Sequence, residues 1–259
     1  SFSDGEFVVQ DFVSSSQSLR GMQYSAMSWG DVDGDGDVDL ALMGTNRSGD
    51  ALLLPYINRD GALTPATDGD FTPLTQGDLA WGDYDGDGDL DLFTSGQIAQ
   101  DDRHDILYRV SGTADDLSFE AIPFASGLDA SSVAWGDMDN DGDLDLLQSG
   151  QSAVIDQASN VQLSFTVLLI NDGSGGFADR GDEMVGLNNG DLVLGDVDGD
   201  GDLDLVVSGK SSSGERRTDL YRNGPDGLID AGAGLPGVEA SDLALGDYDR
   251  DGDDDLVIG

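Results

Sequence analysis

Apolar residues along this chain fall in short runs separated by polar and glycine-rich stretches, and no segment carries them at helical three-and-four spacing for long. The runs follow a fixed order. A first run ends in Trp-Gly or Leu-Gly, at residues 25–29, 79–81, 133–135, 192–194 and 243–245. A second follows a short acidic stretch, at 40–43, 90–93, 144–147 and 203–207. A polar stretch of variable length leads to a third, at 51–57, 105–110, 163–170 and 218–222, and a weaker fourth lies at 71–74 and 119–122. Runs of this length, bounded by turn residues, predict β-strands.

Between the first and second runs one nine-residue pattern, Asp-x-Asp-x-Asp-Gly-Asp-x-Asp, appears five times. Its aspartates are Asp31, Asp33, Asp35, Asp37 and Asp39; Asp83, Asp85, Asp87, Asp89 and Asp91; Asp137, Asp139, Asp141, Asp143 and Asp145; Asp196, Asp198, Asp200, Asp202 and Asp204; and Asp247, Asp249, Asp251, Asp253 and Asp255. Five carboxylates so close together repel one another unless a cation sits among them. Calcium takes about six to eight oxygens in flexible geometry, whereas magnesium prefers an octahedron that keeps several waters. All these aspartates are therefore candidate metal ligands, for about five Ca²⁺ ions, with the seventh position offering its backbone carbonyl. The sixth position is always glycine, as a tight turn with positive φ requires. The loop is not an EF-hand, because position twelve is Leu42, Thr94, Gln148, Val207 or Ile258 rather than glutamate. Asp-Gly-rich segments are also common as solvated turns, a reading that five copies in register oppose.

The first aspartates of successive loops lie 52, 54, 59 and 51 residues apart. A period near fifty marks propellers and solenoids, and four short strands per period describe a propeller blade. The expected fold is all-β, a single β-propeller domain over 1–259 with four-stranded blades, either five of them or a five-repeat part of a larger ring. The loops, with their flanking Trp-Gly and Leu-Asp-Leu, resemble the FG-GAP and VCBS-type repeats of integrin α-subunit propellers and their bacterial relatives. That resemblance implies a calcium-bearing hairpin between the first and second strands of each blade. The integrin propeller has seven blades, and two repeats here carry Leu194 and Leu245 in place of tryptophan. The segment 3–7 aligns with 171–177, which suggests that both ends of the chain contribute to one composite blade.

Net charge is −42, and the loops hold 26 of the 53 acidic residues, so the excess exceeds what five Ca²⁺ ions would neutralise. This balance opposes nucleic acid and anionic membrane surfaces as partners. No apolar run is long enough to span a bilayer, and no signal peptide is visible. The absence of cysteine excludes a disulfide framework. Calcium loops of extracellular modules fill at roughly 10⁻⁴–10⁻³ M, so an extracellular or cell-surface location is expected.

Other residues carry weaker signals. Trp29, Trp81 and Trp135 occupy equivalent places and suit packing between blades, or alternatively sugar stacking. His104, Arg180-Gly181-Asp182 and the sequon Asn46-Arg47-Ser48 are short matches with high false-positive rates. Tyr108 with Arg109 and Tyr221 with Arg222 are the nearest thing to a lyase base and cation, yet their recurrence suggests packing. Arg47, Arg103, Lys210, Arg216 and Arg217 fall in the loops between second and third strands, of which 151–162 is the longest. The expected function is a non-enzymatic binding or adhesion module that docks a protein or glycan on the face opposite the calcium loops. Alternatives are a structural subunit that assembles with copies of itself and a polysaccharide-active enzyme.

Overall fold

Each acidic stretch turns the chain back on itself, so the runs on either side pair as antiparallel strands. In the computed structural model the described residues are 2–3, 6–7, 22–66, 69–99, 102–113, 116–124 and 128–259. A hairpin of β1 (Phe2–Ser3) and β2 (Glu6–Phe7) comes first. The first blade comprises β3 (Gln23–Gly30), β4 (Asp39–Thr45), β5 (Ala51–Arg59) and β6 (Ala62–Pro65). The second comprises β7 (Thr75–Gly82), β8 (Asp91–Ala99), β9 (Asp102–Ser111) and β10 (Ser118–Phe124). The third comprises β11 (Leu128–Gly136), β12 (Asp145–Asp156), β13 (Val161–Asn171) and β14 (Phe177–Asp179). In the fourth, the innermost strand is split into β15 (Leu187–Asn188) and β16 (Leu192–Gly195), followed by β17 (Asp204–Ser211), β18 (Arg216–Arg222) and β19 (Ile229–Asp230). A two-stranded hairpin, β20 (Leu243–Gly246) with β21 (Asp255–Ile258), packs on the fourth blade.

All sheets are antiparallel meanders, no described residue is helical, and successive innermost strands pack against each other in a β-propeller arrangement of four blades. Among the described residues β1–β2 and β20–β21 are separate sheets, so these strands do not pair in the composite blade expected from the two ends. The strand expected at 71–74 is also absent. The fourth strand of that blade is β6, and residues 71–74 cross to the next blade, where the Thr72 amide donates to the Tyr108 hydroxyl at 2.8 Å. Nor is 151–162 a loop. Strands β12 and β13 extend into it, which leaves a turn at 157–160. Arg103, Lys210, Arg216 and Arg217 likewise stand on strand ends.

The core lies between blades. One cluster joins the first and second (Met43, Leu53, Leu92, Tyr108), another the second and third (Phe93, Leu107, Leu146), another the third and fourth (Leu147, Leu168, Leu205, Tyr221). A repeated contact sets the spacing. The Trp or Leu of one blade lies over the glycine that follows its counterpart in the blade before. A Cβ on Gly30 would meet Trp81, one on Gly82 would meet Trp135, one on Gly136 would meet Leu194, and one on Gly195 would meet Leu245. Two of the indoles also donate back across the junction, Trp81 to the Ser28 carbonyl at 3.2 Å and Trp135 to that of Ala80 at 3.4 Å. Leu194 and Leu245 fill the same space without that bond. Among the described residues Trp29 lies over no such glycine and is 53% exposed, and a Cβ on Gly246 would meet nothing within 4 Å.

Carboxylates staple the same junctions. Asp78 accepts the amide of Leu79 at 2.9 Å and that of Val133, on the next blade, at 3.0 Å. Asp191 accepts Leu192 and, on the following hairpin, Leu243, both at 2.8 Å, while the Ser132 hydroxyl donates to it at 2.9 Å. Gly82→Ala is expected to cost about 1–3 kcal/mol, because the methyl group lands 2.6 Å from an indole carbon of Trp135. Gly246→Ala should stay within about 0.5 kcal/mol. Urea unfolding of the two variants measures the difference, and equal losses would refute the glycine–tryptophan contact as the spacer.

Candidate metal centres

The acidic loops begin where the first strand must reverse, and two left-handed residues make the reversal. The glycine at position six has φ of 93° at Gly36, 97° at Gly88, 100° at Gly142, 94° at Gly201 and 102° at Gly252. Position four is also left-handed, at Gly34, Gly86 and Gly199 and equally at Asn140 and Arg250. The alternating-aspartate pattern does not announce this second requirement, although glycine at three of the five places signals it. The position-six amide donates to the first aspartate in four loops: Gly36 to Asp31, Gly88 to Asp83, Gly142 to Asp137 and Gly201 to Asp196, at 3.0–3.1 Å.

Position nine enters the sheet. Asp39, Asp91, Asp145 and Asp204 are fully buried, and each joins the loop to the third strand of its blade. Asp39 accepts the amides of Val32 at 2.8 Å and Asn58 at 2.7 Å. Asp145 accepts Met138 and Asn171, both at 2.8 Å, and Asp204 accepts Val197 at 3.0 Å and Asn223 at 2.8 Å. Asp91 accepts Val110 at 2.8 Å through Oδ1, while its Oδ2 is shut off from solvent and accepts no hydrogen bond.

Carboxylate oxygens from positions one, three and nine lie within 4.8 Å of one another in four loops: Asp31, Asp33 and Asp39; Asp83, Asp85 and Asp91; Asp137, Asp139 and Asp145; Asp196, Asp198 and Asp204. In the fifth, Asp247, Asp249 and Asp251 form the group, and all three are exposed. Position five is otherwise outside the tightest group. Asp35, Asp87, Asp141 and Asp200 each accept the amide two residues on, at 2.8–3.0 Å. Position seven also points elsewhere: Asp37 accepts the Asp60 amide at 3.0 Å, and Asp202 accepts the Asn140 side-chain amide of the preceding blade at 2.8 Å. Asp89, Asp143, Asp253 and Asp255 lie outside the groups as well.

Does this donor set fit a hard cation? Oδ1 of Asp31, Oδ2 of Asp33, Oδ1 of Asp83, Oδ1 of Asp85 and Oδ1 of Asp198 are shut off from solvent and accept no hydrogen bond. A buried anionic oxygen without a donor is costly, and an all-oxygen cluster suits a hard divalent ion. The groups fit. Their proton affinities agree: desolvation first, then neighbouring carboxylates, raise the pKa of Asp33, Asp85 and Asp139. Desolvation also raises Asp39, Asp145 and Asp204 against their backbone donors. Asp91 is pushed up to about 7, by burial above all and by the charges of Asp85 and Asp87.

Residues 31–94 and 196–258 match the FG-GAP-like repeat family. The chain carries FG-GAP-like repeats. No curated protein matches it. Each matched stretch opens on the first aspartate of a loop and spans two loops, and the third loop, outside both, brings its aspartates together in the same way.

Other residues singled out from the sequence are placed differently. Arg180 and Asp182 pair with each other and are largely buried, and Asp182 also accepts the Leu228 amide at 3.1 Å, so Arg180-Gly181-Asp182 is not presented as a ligand. The Asn46 side chain bonds Asp50 and the amide of Ser48 within its own turn. The Tyr108 and Tyr221 side chains are buried, and their hydroxyls accept the amides of Thr72 and Val185. His104 pairs on the surface with Asp102 at 2.9 Å.

Because the Asp91 pKa is raised on folding, from 3.8 to about 7, the stability it contributes without metal is fully present below the unfolded value and lost as pH rises through 7. The chelated protein should therefore melt at a higher temperature at about pH 5.5 than at about pH 8, with the order reversed when divalent ions fill the loops. Calorimetry at both pH values checks this, and the same order in both states would be the refuting result.

Proposed function

We propose that the chain is an extracellular, calcium-stabilised binding module whose partner docks at the end of the blades opposite the acidic loops. Four loops hold Ca²⁺ through the aspartates of positions one, three and nine and the fifth through positions one, three and five, with the remaining positions completing the shells. Calcium is favoured over magnesium because its larger, flexible shell accepts crowded carboxylates. The ion supplies the positive charge that the loops lack. The chain's own residues do the positioning: the left-handed glycines turn the loop, and the buried aspartates tie it to the third strand.

One observation carries the docking assignment. At the far end of the second strands from the acidic loops, the β12–β13 hairpin exposes Val154 (55%), Ile155 (41%) and Val161 (38%) beside a tight turn. The turn is held by Asp156, which accepts the Ala158 amide at 2.9 Å and the Ser159 hydroxyl at 2.6 Å. Exposed β-branched residues on a projecting hairpin suit a protein partner. Replacing Val154 and Ile155 by serine should weaken binding to extracellular-matrix proteins at least tenfold, measured by surface plasmon resonance in calcium. Unchanged binding sinks the face assignment. The calcium reading is checked separately: chelator should lower the melting temperature by roughly 10 °C or more, since each filled site adds about 2.7 kcal/mol at a hundredfold excess over Kd. Calcium should restore it better than magnesium, and an unmoved curve would refute the sites.

A second reading, assembly of copies, draws on the uncovered Trp29 and the open Gly246, which match the two halves of the contact made at every other junction. Sedimentation of a single species at monomer mass over a wide concentration range would dismiss it.

A further inference from the structure

The ends of the innermost strands farthest from the acidic loops share a deformation. In four of the repeats a left-handed residue stands five places before the Trp or Leu of the Gly pair: Tyr24 (φ 50°), Gln76 (φ 56°), Asn189 (φ 53°) and Ala240 (φ 52°). The ladder slips at this level in three blades, between Gln23 and Ala26, between Thr75 and Asp78, and between Asp129 and Ser132. Glycine adopts such a backbone at the least cost, but the neighbouring Gly77 and Gly190 are needed where they stand, since a Cβ there would lie 1.9 Å from the Ser95 carbonyl oxygen and 2.2 Å from that of Ser208. The strained places carry tyrosine, glutamine, asparagine and alanine rather than glycine. Strain held in this way concentrates where side chains serve a ligand.

These residues line one cavity of about 460 Å³, to which the first, second and fourth blades and the β20–β21 hairpin all contribute. Its lining includes Tyr24, Ser25, Gln76, Asn189, Ser241 and Asp242 and, among the described residues, no lysine, arginine or histidine. Asp242 stands where Asp78 and Asp191 stand in their own repeats, but it makes none of their inter-blade bonds among the described residues. The chemistry excludes most ligands. An anion finds no cation there among the described residues and meets a chain of net charge −42. A hard divalent ion finds one carboxylate where the loops offer three. What remains is a group rich in uncharged hydroxyls. The Asn189 amide, the Asp242 carboxylate and the amide nitrogen of Gln76, whose oxygen accepts from the Gln97 side chain, offer donors and acceptors to vicinal hydroxyls, and Tyr24, 66% exposed, offers an aromatic face to the C–H side of a ring.

We propose that this cavity binds the uncharged terminal sugar of a glycan. The proposal rests on the reading of the chain as a binding module and gives that module a second, separate ligand. It is tested on the calcium-loaded full chain by saturation-transfer NMR and calorimetry against a panel of neutral mono- and oligosaccharides, with uronate-terminated ones as controls. Neutral sugars should bind and uronates should not. Asp242→Ala and Tyr24→Ala should each weaken binding at least tenfold, whereas the hairpin variant Val154→Ser with Ile155→Ser should leave it unchanged. Gln76→Gly with Asn189→Gly separates chemistry from architecture: it should raise the melting temperature by relieving the backbone while weakening sugar binding. A raised melting temperature with sugar binding intact overturns the proposal, and so does a panel without a neutral binder at millimolar concentration. If matrix proteins still bind through the hairpin in that case, the module stands and only the cavity assignment falls.

Discussion

A carboxylate buried in a β-sheet costs several kcal/mol unless its oxygens find donors. At Asp39, Asp145 and Asp204 the donors are backbone amides from two distant parts of the repeat, the second residue of the acidic loop and the end of the third strand, and Asp91 keeps the third-strand donor. A hydrogen bond to a charged group contributes about 1.5–3 kcal/mol, so each aspartate ties loop and blade together in a way that an apolar residue of the same size would not. The bonds do not fully offset the burial. The pKa values of all four stay above the ordinary carboxylate range. That deficit faces the same small space as the oxygens of positions one and three, so a cation held there would act on the folding of the blade itself.

From this pairing the register of the sheet follows. The pair that closes each hairpin is always glycine with the position-nine aspartate: Gly30 with Asp39, Gly82 with Asp91, Gly136 with Asp145, Gly195 with Asp204 and Gly246 with Asp255. In the four blades the same glycine leaves the hollow that Trp81, Trp135, Leu194 or Leu245 of the next repeat fills. One short motif thus sets strand pairing within a blade and the distance between blades. Stability in such an array comes from nearest-neighbour contacts, so each junction depends on the loop beside it more than on the chain as a whole.

The acidic loops were readable because five aspartates at alternate positions repel one another in any setting that lacks a cation. The strand order was readable because short apolar runs recurring every fifty residues or so can bury their faces only by stacking. The strand ends were not. Ser149–Ser152 and Asp102–Asp105 are polar, yet they pair along the ladder, because an exposed hairpin arm needs backbone partners more than apolar side chains. Residues 71–74 look like a strand because Phe71 and Leu74 are apolar, but those side chains pack against the second blade while the backbone crosses to it. The dual role of position nine was hidden for a different reason: a ligand and a buried staple are both written as aspartate. Asp78 and Asp191 could have been found, since aspartate stands three residues before the Trp or Leu of the Gly pair in three of the five repeats.

The two ends of the innermost strand are mechanically related. From Gly82↔Asp91 the ladder runs without interruption to Asp78↔Ser95, then slips to Thr75↔Gln97, and the left-handed Gln76 sits inside the slip. A strained residue keeps its conformation only where its surroundings over-determine it. Here the over-determination comes from the acidic end, where the glycine–aspartate pair fixes the register, and from the blade junction, where Asp78 holds the next strand. The first and third blades repeat the order of fixed pair, short ladder and slip. The acidic loop and the slip are thus the two ends of one short run of ladder, fixed by the same strand.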